Sequence, residues 1–202
     1  MNNNSDDFDS ENEEIEGEII FEGKKEQIPK SKESNNNNIT NYLIIQSINN
    51  TLTCLLEENK KLINYHQIIR LQSKMSFNSH SIPSISILEY LKRIQMYSKI
   101  ESSTLICSLI YIDRLCNLGE IILTYYNIHR ILFVAILISI KYNEDRYYEN
   151  VYYAKIAGIS SRELKNIEYD FLVIINFELF ISEDEYLKYK KYLENFYEQL
   201  NE

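Results

Sequence analysis

Residues 127–142 read NIHRILFVAILISIKY, and this stretch decides the fold. Apolar side chains fill nearly every position from Ile131 to Ile140, so a helix formed here has no polar face. A helix that is apolar all round belongs in the middle of a bundle. The run is also far shorter than the roughly 20 apolar residues that a membrane-spanning helix needs. The stretch therefore predicts the central helix of an all-α domain.

Helix signals repeat on both sides of this stretch. Three serines are each followed, three residues later, by a glutamate, the capping-box pattern of a helix start: Ser86 with Glu89, Ser160 with Glu163, and Ser182 with Glu185. Gly119 and Gly158 stand where predicted helices end, a position that favours glycine. Together with the apolar spacing, these signals predict five short helices in a row, beginning near residues 86, 102, 127, 150 and 160.

The remaining chain divides into three predicted segments. Residues 1–38 are acidic and rich in asparagine, and we expect a disordered tail because such a segment cannot bury enough apolar surface. Residues 39–76 carry apolar residues at helical spacing and predict a helical extension before the five-helix domain of residues 77–181. Residues 182–202 predict a final helix with one apolar face: Tyr186, Tyr189, Leu193, Phe196 and Leu200.

The formal net charge of -9 lies mostly in the tail. Residues 1–40 hold eleven acidic and four basic residues, a net charge of -7, which leaves -2 for the rest of the chain. Such a near-neutral domain lacks the basic stripe that binds nucleic acid or an anionic membrane surface. We therefore expect no nucleic acid and no membrane as partners, and a protein partner is favoured.

No pattern of a catalytic, cofactor or metal site is found. The cysteines stand apart in apolar helical contexts, which predicts reduced core thiols: Cys54, Cys107 and Cys116. The histidines are isolated from one another, and no glycine-rich phosphate loop is present. The acidic pair Glu144 and Asp145 lies near a helix end, where a capping or solvated role is favoured over acid–base chemistry. The chain is predicted to be a noncatalytic, cofactor-free intracellular protein of the nucleus, the cytoplasm or both.

Two charges are harder to place. Lys141 and Glu168 lie on or beside apolar helical stripes, where an isolated charge is costly. A cation and an anion in such positions have a partner, which is either each other or another chain.

Residues 77–181 resemble a cyclin box, and most of all that of the P-type cyclins, the group that includes activators of fungal phosphate-response kinases. The matching segments include residues 83–87 (PSISI), 90–94 (YLKRI), 109–115 (LIYIDRL), 127–131 (NIHRI), 141–145 (KYNED), 153–155 (YAK) and 158–160 (GIS), with Asn150 and the stretch from Glu163 through Glu168 to Leu172. The resemblance implies a compact five-helix box, with additional helices before and after it.

In cyclins this box holds the mobile C helix of a cyclin-dependent kinase. The resemblance implies that Lys141 and Glu168 hydrogen-bond the kinase backbone beside that helix. The alternative is an internal salt bridge that joins the third box helix to the fifth, and the two roles are compatible. Asp113 and Arg114 look architectural in this family and are expected to tie helices together.

Two further residues are candidates for kinase binding. Asp145 lies just beyond the third box helix, where a carboxylate could pair with the kinase arginine that otherwise holds a phosphate; the alternative is a solvated loop residue. Tyr153, in the short fourth helix, is predicted to be either an aromatic interface anchor or a core residue. One departure from the family is Ser139, where an alanine is common.

The resemblance therefore implies a regulatory subunit that forms a heterodimer with a cyclin-dependent serine/threonine kinase and activates it. The alternative from another class is a cyclin-fold scaffold or adaptor that bridges other proteins without activating a kinase. A plain helical structural protein is a third hypothesis, in which Lys141 and Glu168 matter for stability alone.

Overall fold

The computed structural model describes the backbone of residues 32–199 and the side chains of residues 41–195. Within this part of the chain there are eight helices and no strand, so the all-α prediction is confirmed. The helices are α1 (Lys32–Lys60), α2 (Tyr65–Gln72), α3 (Ile87–Ser98), α4 (Ser102–Gly119), α5 (Ile128–Asn143), α6 (Asn150–Ala157), α7 (Ser161–Ile174) and α8 (Glu183–Gln199). The five helices predicted from the helix signals and the apolar spacing are α3 to α7.

Helix α5 is the centre of the domain. Every side chain from Ile131 to Ile140 is buried, and α3, α4, α6 and α7 all pack against this helix. His129, at its start, approaches the Ile85 carbonyl through Nε2 at 2.9 Å, and burial lowers the pKa of this imidazole. The prediction of a central helix without a polar face is confirmed, and its two ends are the only parts that reach the surface.

The predicted caps form, but only one forms completely. At α3 the Ser86 hydroxyl accepts from the Glu89 N–H, and the Glu89 carboxylate accepts from the Ser86 N–H in return. At α7 and α8 the serine half is present, whereas each glutamate side chain turns to an arginine of another helix. The Glu163 carboxylate lies 2.5 Å from Arg130 of α5. In two of the three predicted capping boxes, the serine therefore caps the helix while the glutamate forms an ion pair with another helix.

Gly119 and Gly158 have different roles. Gly158 follows α6 with φ of 74°, the left-handed conformation predicted for a helix end. Gly119 is instead the last residue of α4, and the left-handed residue after it is Glu120. A Cβ at position 119 would lie 2.8 Å from Cγ2 of Ile174 in α7. The expectation for Gly119 is thus corrected, because this glycine permits close packing of α7 on the end of α4.

Helices α1 and α8 belong to the same core as the box. Five residues of α1 are buried in the common hydrophobic cluster: Ile44, Ile45, Ile48, Leu52 and Leu56. Leu193 of α8 is buried too, and its carbonyl accepts from the Ser47 hydroxyl of α1 at 3.0 Å. The side chains of Phe196 and Leu200, predicted for the same face, lie outside the described residues, as do residues 1–31 of the predicted tail.

Two expectations outside the box are wrong. Residues 32–38, predicted as the end of a disordered tail, form the first turns of α1, since extending an existing helix is far less costly than starting one. Cys54 is exposed on α1, so only Cys107 and Cys116 lie in or near the core. Burial raises the pKa of both of these thiols, to about 12 for Cys116. Among the described helices, none is long and apolar enough to cross a membrane.

Candidate functional site

Lys141 and Glu168 form a direct ion pair. Lys141 lies in the last turn of α5, where a cation also suits the helix dipole, and Glu168 lies in the second half of α7. Lys141 Nζ is 2.5 Å from Glu168 Oε1, and the two side chains are 25% and 14% exposed. The predicted internal salt bridge is therefore present, and enough surface remains for a partner to reach both groups.

A third helix completes this site. Asn150, the first residue of α6, donates from Nδ2 to the other carboxylate oxygen of Glu168, Oε2, at 3.0 Å. The carboxylate thus receives one hydrogen bond from α5 and one from α6. Asn150 appeared in the sequence only as part of the family match, and nothing in its spacing from Glu168 predicted the contact. It depends on how α6 packs against α7.

The loop of residues 144–149 joins α5 to α6 beside the pair. Tyr153 is 2% exposed, and its hydroxyl accepts from the Tyr148 N–H at 3.3 Å. Tyr152 donates its hydroxyl to the Tyr97 carbonyl at 2.8 Å, and its ring lies 4.3 Å from that of Tyr148. Tyr153 is thus a core residue rather than an exposed anchor, because it fills the space beneath this loop and holds Tyr148 in place.

Glu144 and Asp145, at the start of the loop, differ in their contacts. Glu144 accepts from the Thr104 hydroxyl at 2.9 Å and from the Glu101 N–H at 3.4 Å, so it joins the end of α5 to the start of α4. Asp145 is exposed and has no ion pair or hydrogen bond among the described residues. Its position matches the solvated alternative and also leaves the carboxylate available to a partner.

A depression of about 380 Å³ lies beside the ion pair, between the loop and the start of α7. Three of the residues lining it are more than half exposed and supply apolar surface: Tyr147, Tyr148 and Val151. Lys141 and Asn150 line the same depression, and Lys165 adds a second cation. The site therefore combines polar groups at its edge with exposed aromatic area, a combination typical of a protein-binding surface.

Asp113 and Arg114 lie away from this site, and their predicted architectural role is confirmed. The guanidinium of Arg114 donates to the Glu178 and Phe180 carbonyls at 2.7 and 2.9 Å and pairs with Glu185 at 2.8 Å. Asp113 accepts a short hydrogen bond from the hydroxyl of Tyr189. Both residues tie α4 to the C-terminal part of the chain.

A larger groove of about 470 Å³ lies between α1, α4 and α8 and shares no residue with the site. Its floor is apolar, with Leu52, Leu109 and Ile112, and the exposed Cys54 stands on its rim. No group of three or more potential metal ligands occurs among the described residues.

Comparison with known proteins identifies the family. The family model described as Cyclin matches residues 19–179, most of the chain, and the chain belongs to the cyclin family. The five-helix arrangement of α3 to α7 is accordingly a cyclin box, as the resemblance implied.

The relatives include both plant and fungal cyclins. Cyclin-U4-1 of Arabidopsis thaliana is 34% identical over 58% of this chain and 59% of its own length. PHO85 cyclin-7 of Saccharomyces cerevisiae is 32% identical over 61% of this chain and 47% of its own. Cyclin-P3-1 of Oryza sativa subsp. japonica is 30% identical over 61% and 52%. The chain spans about half the length of these relatives, and the predicted likeness to P-type cyclins is confirmed.

Proposed function

We propose that this chain is the noncatalytic regulatory subunit of a cyclin-dependent serine/threonine kinase, which it binds as a heterodimer and activates. The observation that carries the proposal is the ion pair of Lys141 and Glu168, which stays partly exposed where α5, α6 and α7 meet. These are the two positions that the family resemblance assigns to kinase contact. The cyclin names of the relatives support the same class, and one of them is named as a cyclin of PHO85.

The chemistry of the pair suits a peptide backbone. A lysine ammonium has three N–H donors, and the structure gives Lys141 one hydrogen bond, to Glu168. Each oxygen of Glu168 accepts one hydrogen bond and has a further lone pair. The site therefore offers a donor and an acceptor side by side, which matches the C=O and N–H groups of a chain segment next to a helix.

Activation then follows from differential binding. A kinase is active when a glutamate of its C helix pairs with the lysine of its third strand, and a subunit that binds this arrangement better than the inactive one shifts the population toward it. Turning a kinase from 1% to 99% active requires a difference of about 5.5 kcal/mol. An interface of standard size, about 1,600 Å², can supply that difference.

The surroundings of the pair define the rest of the interface. Tyr147 and Val151 supply exposed apolar area, and Asp145 is proposed to pair with a cationic group of the kinase. Tyr153 is left out of the contact surface because it is buried, and it contributes by holding the loop. A location in the nucleus, the cytoplasm or both stays a prediction.

The experiment is to purify the tagged protein from its own cells, identify the kinase that accompanies it, and assay the kinase activity of the eluate. The wild type is compared with Lys141→Ala/Glu168→Ala. We expect the double variant to stay folded and to lose at least tenfold in recovered kinase activity, because both hydrogen-bonding groups are gone.

The matched control is Glu163→Ala. Its carboxylate pairs with Arg130 at 2.5 Å and so also joins α5 to α7, but neither Glu163 nor Arg130 lines the depression. We expect Glu163→Ala to lower the free energy of unfolding without reducing the amount of kinase recovered. If no kinase accompanies the wild type, or if both sets of variants retain it equally, the adaptor alternative replaces this proposal.

A further inference from the structure

Glu168 is held by two donors that come from different helices. Lys141 of α5 contacts Oε1 at 2.5 Å, and Asn150 of α6 donates to Oε2 at 3.0 Å. The last torsion of a glutamate side chain is broad, so a carboxylate with one donor can turn about that bond. Two donors on opposite oxygens fix the plane of the carboxylate and hence the directions of its remaining lone pairs.

The amide of Asn150 is suited to this task because it is neutral. It donates to the carboxylate without adding charge, so Lys141 and Glu168 remain a balanced pair. A lysine at position 150 would compete with Lys141, and an aspartate would place a second carboxylate next to the first. The side chain is also not used as a cap, since the N-cap of α6 is Glu149 and makes no side-chain cap hydrogen bond.

The hydrogen bond between Asn150 and Glu168 is not needed to hold α6 against the domain. Arg93 of α3 donates to the Lys155 carbonyl at 3.1 Å, and Tyr152 donates to the Tyr97 carbonyl at 2.8 Å. Three residues of α6 are buried in the core: Tyr153, Ala154 and Ile156. Helix α6 is therefore anchored without Asn150, and the hydrogen bond to Glu168 acts mainly on the carboxylate.

We infer that Asn150 is a positioning residue for partner binding: it orients the Glu168 carboxylate so that its free lone pairs meet the backbone N–H groups of the kinase. This inference rests on the proposed function and extends the site from two residues to three. Groups that are already oriented before binding lose less entropy on association, which is why a residue that touches only Glu168 changes the affinity.

The test is a double-mutant cycle on the affinity for the kinase recovered in the experiment above, produced separately and titrated against the full chain. We expect Asn150→Ala to weaken binding about five- to tenfold, the scale of one ordinary hydrogen bond. In a Glu168→Ala background the same substitution should change the affinity less than twofold, because no carboxylate remains to be oriented. Asn150→Asp, which keeps the shape but not the donor, should weaken binding at least as much as alanine.

Asn143→Ala is the matched control, since this nearby asparagine donates to the Ser139 carbonyl at 2.9 Å and not to Glu168. It should leave the affinity unchanged, and thermal melts should show every variant folded. An equal effect of Asn150→Ala with and without Glu168, or no effect at all, overturns the inference while leaving the proposed function standing. If Lys141→Ala and Glu168→Ala themselves do not weaken binding, or if no kinase is recovered, the proposed function fails and this inference fails with it.

Discussion

Ser139 is a residue at which the resemblance to cyclins predicts an alanine, and the structure shows the surroundings of its hydroxyl. Its hydroxyl is fully buried in α5 and has no hydrogen-bond partner in the described part of the chain. Ser108, in the adjacent helix α4, is equally buried, but its hydroxyl donates to the Leu105 carbonyl at 2.7 Å. A buried polar group without a partner costs about 1–3 kcal/mol.

We expect Ser139→Ala to raise the free energy of unfolding by about 1 kcal/mol. The substitution removes the unpaired hydroxyl, and alanine has a higher helix propensity than serine. Ser108→Ala loses a hydrogen bond and should give no such gain, so the two variants should differ by about 1 kcal/mol. Urea unfolding followed by circular dichroism measures both. A Ser139→Ala variant that is less stable than the wild type would show that the hydroxyl has a partner after all.

The same scale shows which site residues the sequence could predict. Lys141 and Glu168 were found because a charge beside an apolar stripe is costly and because both positions match the family. The contact of Asn150 with Glu168 could not be predicted, since an asparagine at the start of a helix has many ordinary uses and its distance to Glu168 depends on the packing of two helices. Tyr153 could not be assigned, because a tyrosine at helical spacing fits a core and an interface equally well.

At the scale of helices, the capping patterns predicted well where helices begin. They could not predict the contacts of the glutamate side chains in two of these patterns. Glu163 and Glu185 lie opposite arginines only because α5 and α4 bring those arginines near. The turn after α7 was equally hidden: Asn176 and Phe177 both adopt positive φ, of 54° and 55°. Asparagine tolerates this conformation, but it is unfavourable for phenylalanine, so at Phe177 it persists only where surrounding contacts hold it.

Arg114 holds the segment that follows this turn, through the Glu178 and Phe180 carbonyls and the carboxylate of Glu185. The Tyr111 hydroxyl donates to the Leu179 carbonyl of the same segment at 2.8 Å. We expect Arg114→Ala to lower the free energy of unfolding by about 2 kcal/mol. Arg114→Lys should lower the free energy of unfolding by at least half of that amount, because one ammonium cannot replace the planar fork of the guanidinium. Urea unfolding measures the stability, and limited proteolysis should cut residues 176–182 faster in both variants.

Arg93→Lys is the control for this comparison. Arg93 makes one exposed hydrogen bond to a carbonyl, that of Lys155, and we expect the lysine variant to lose less than about 0.5 kcal/mol. If Arg114→Lys is as stable as the wild type, the ion pair with Glu185 accounts for the whole contribution of Arg114, and the fork geometry is unimportant.

At the scale of the whole molecule, the sequence predicted a box with extensions, whereas the structure shows one core that includes α1 and α8. Apolar spacing identified the helices of each segment, but it could not show that α1 packs against α3, α4 and α8. Leu193 of α8 is 1% exposed, and α1 contributes five buried residues to the common cluster. A shared core of this kind should unfold in one cooperative step.

Leu193→Ala tests this unity of the core. We expect it to lower the free energy of unfolding by about 2–4 kcal/mol, the usual cost of removing a buried leucine side chain. The loss should appear throughout the chain, so that hydrogen exchange in urea shows the midpoints of α5 and α8 falling together. Leu187→Ala, at a 48% exposed position of the same helix, should change the free energy of unfolding of either helix by no more than about 0.5 kcal/mol. If α8 instead exchanges early while the midpoint of α5 stays unchanged, then α8 is an attachment to the cyclin box and not part of its core.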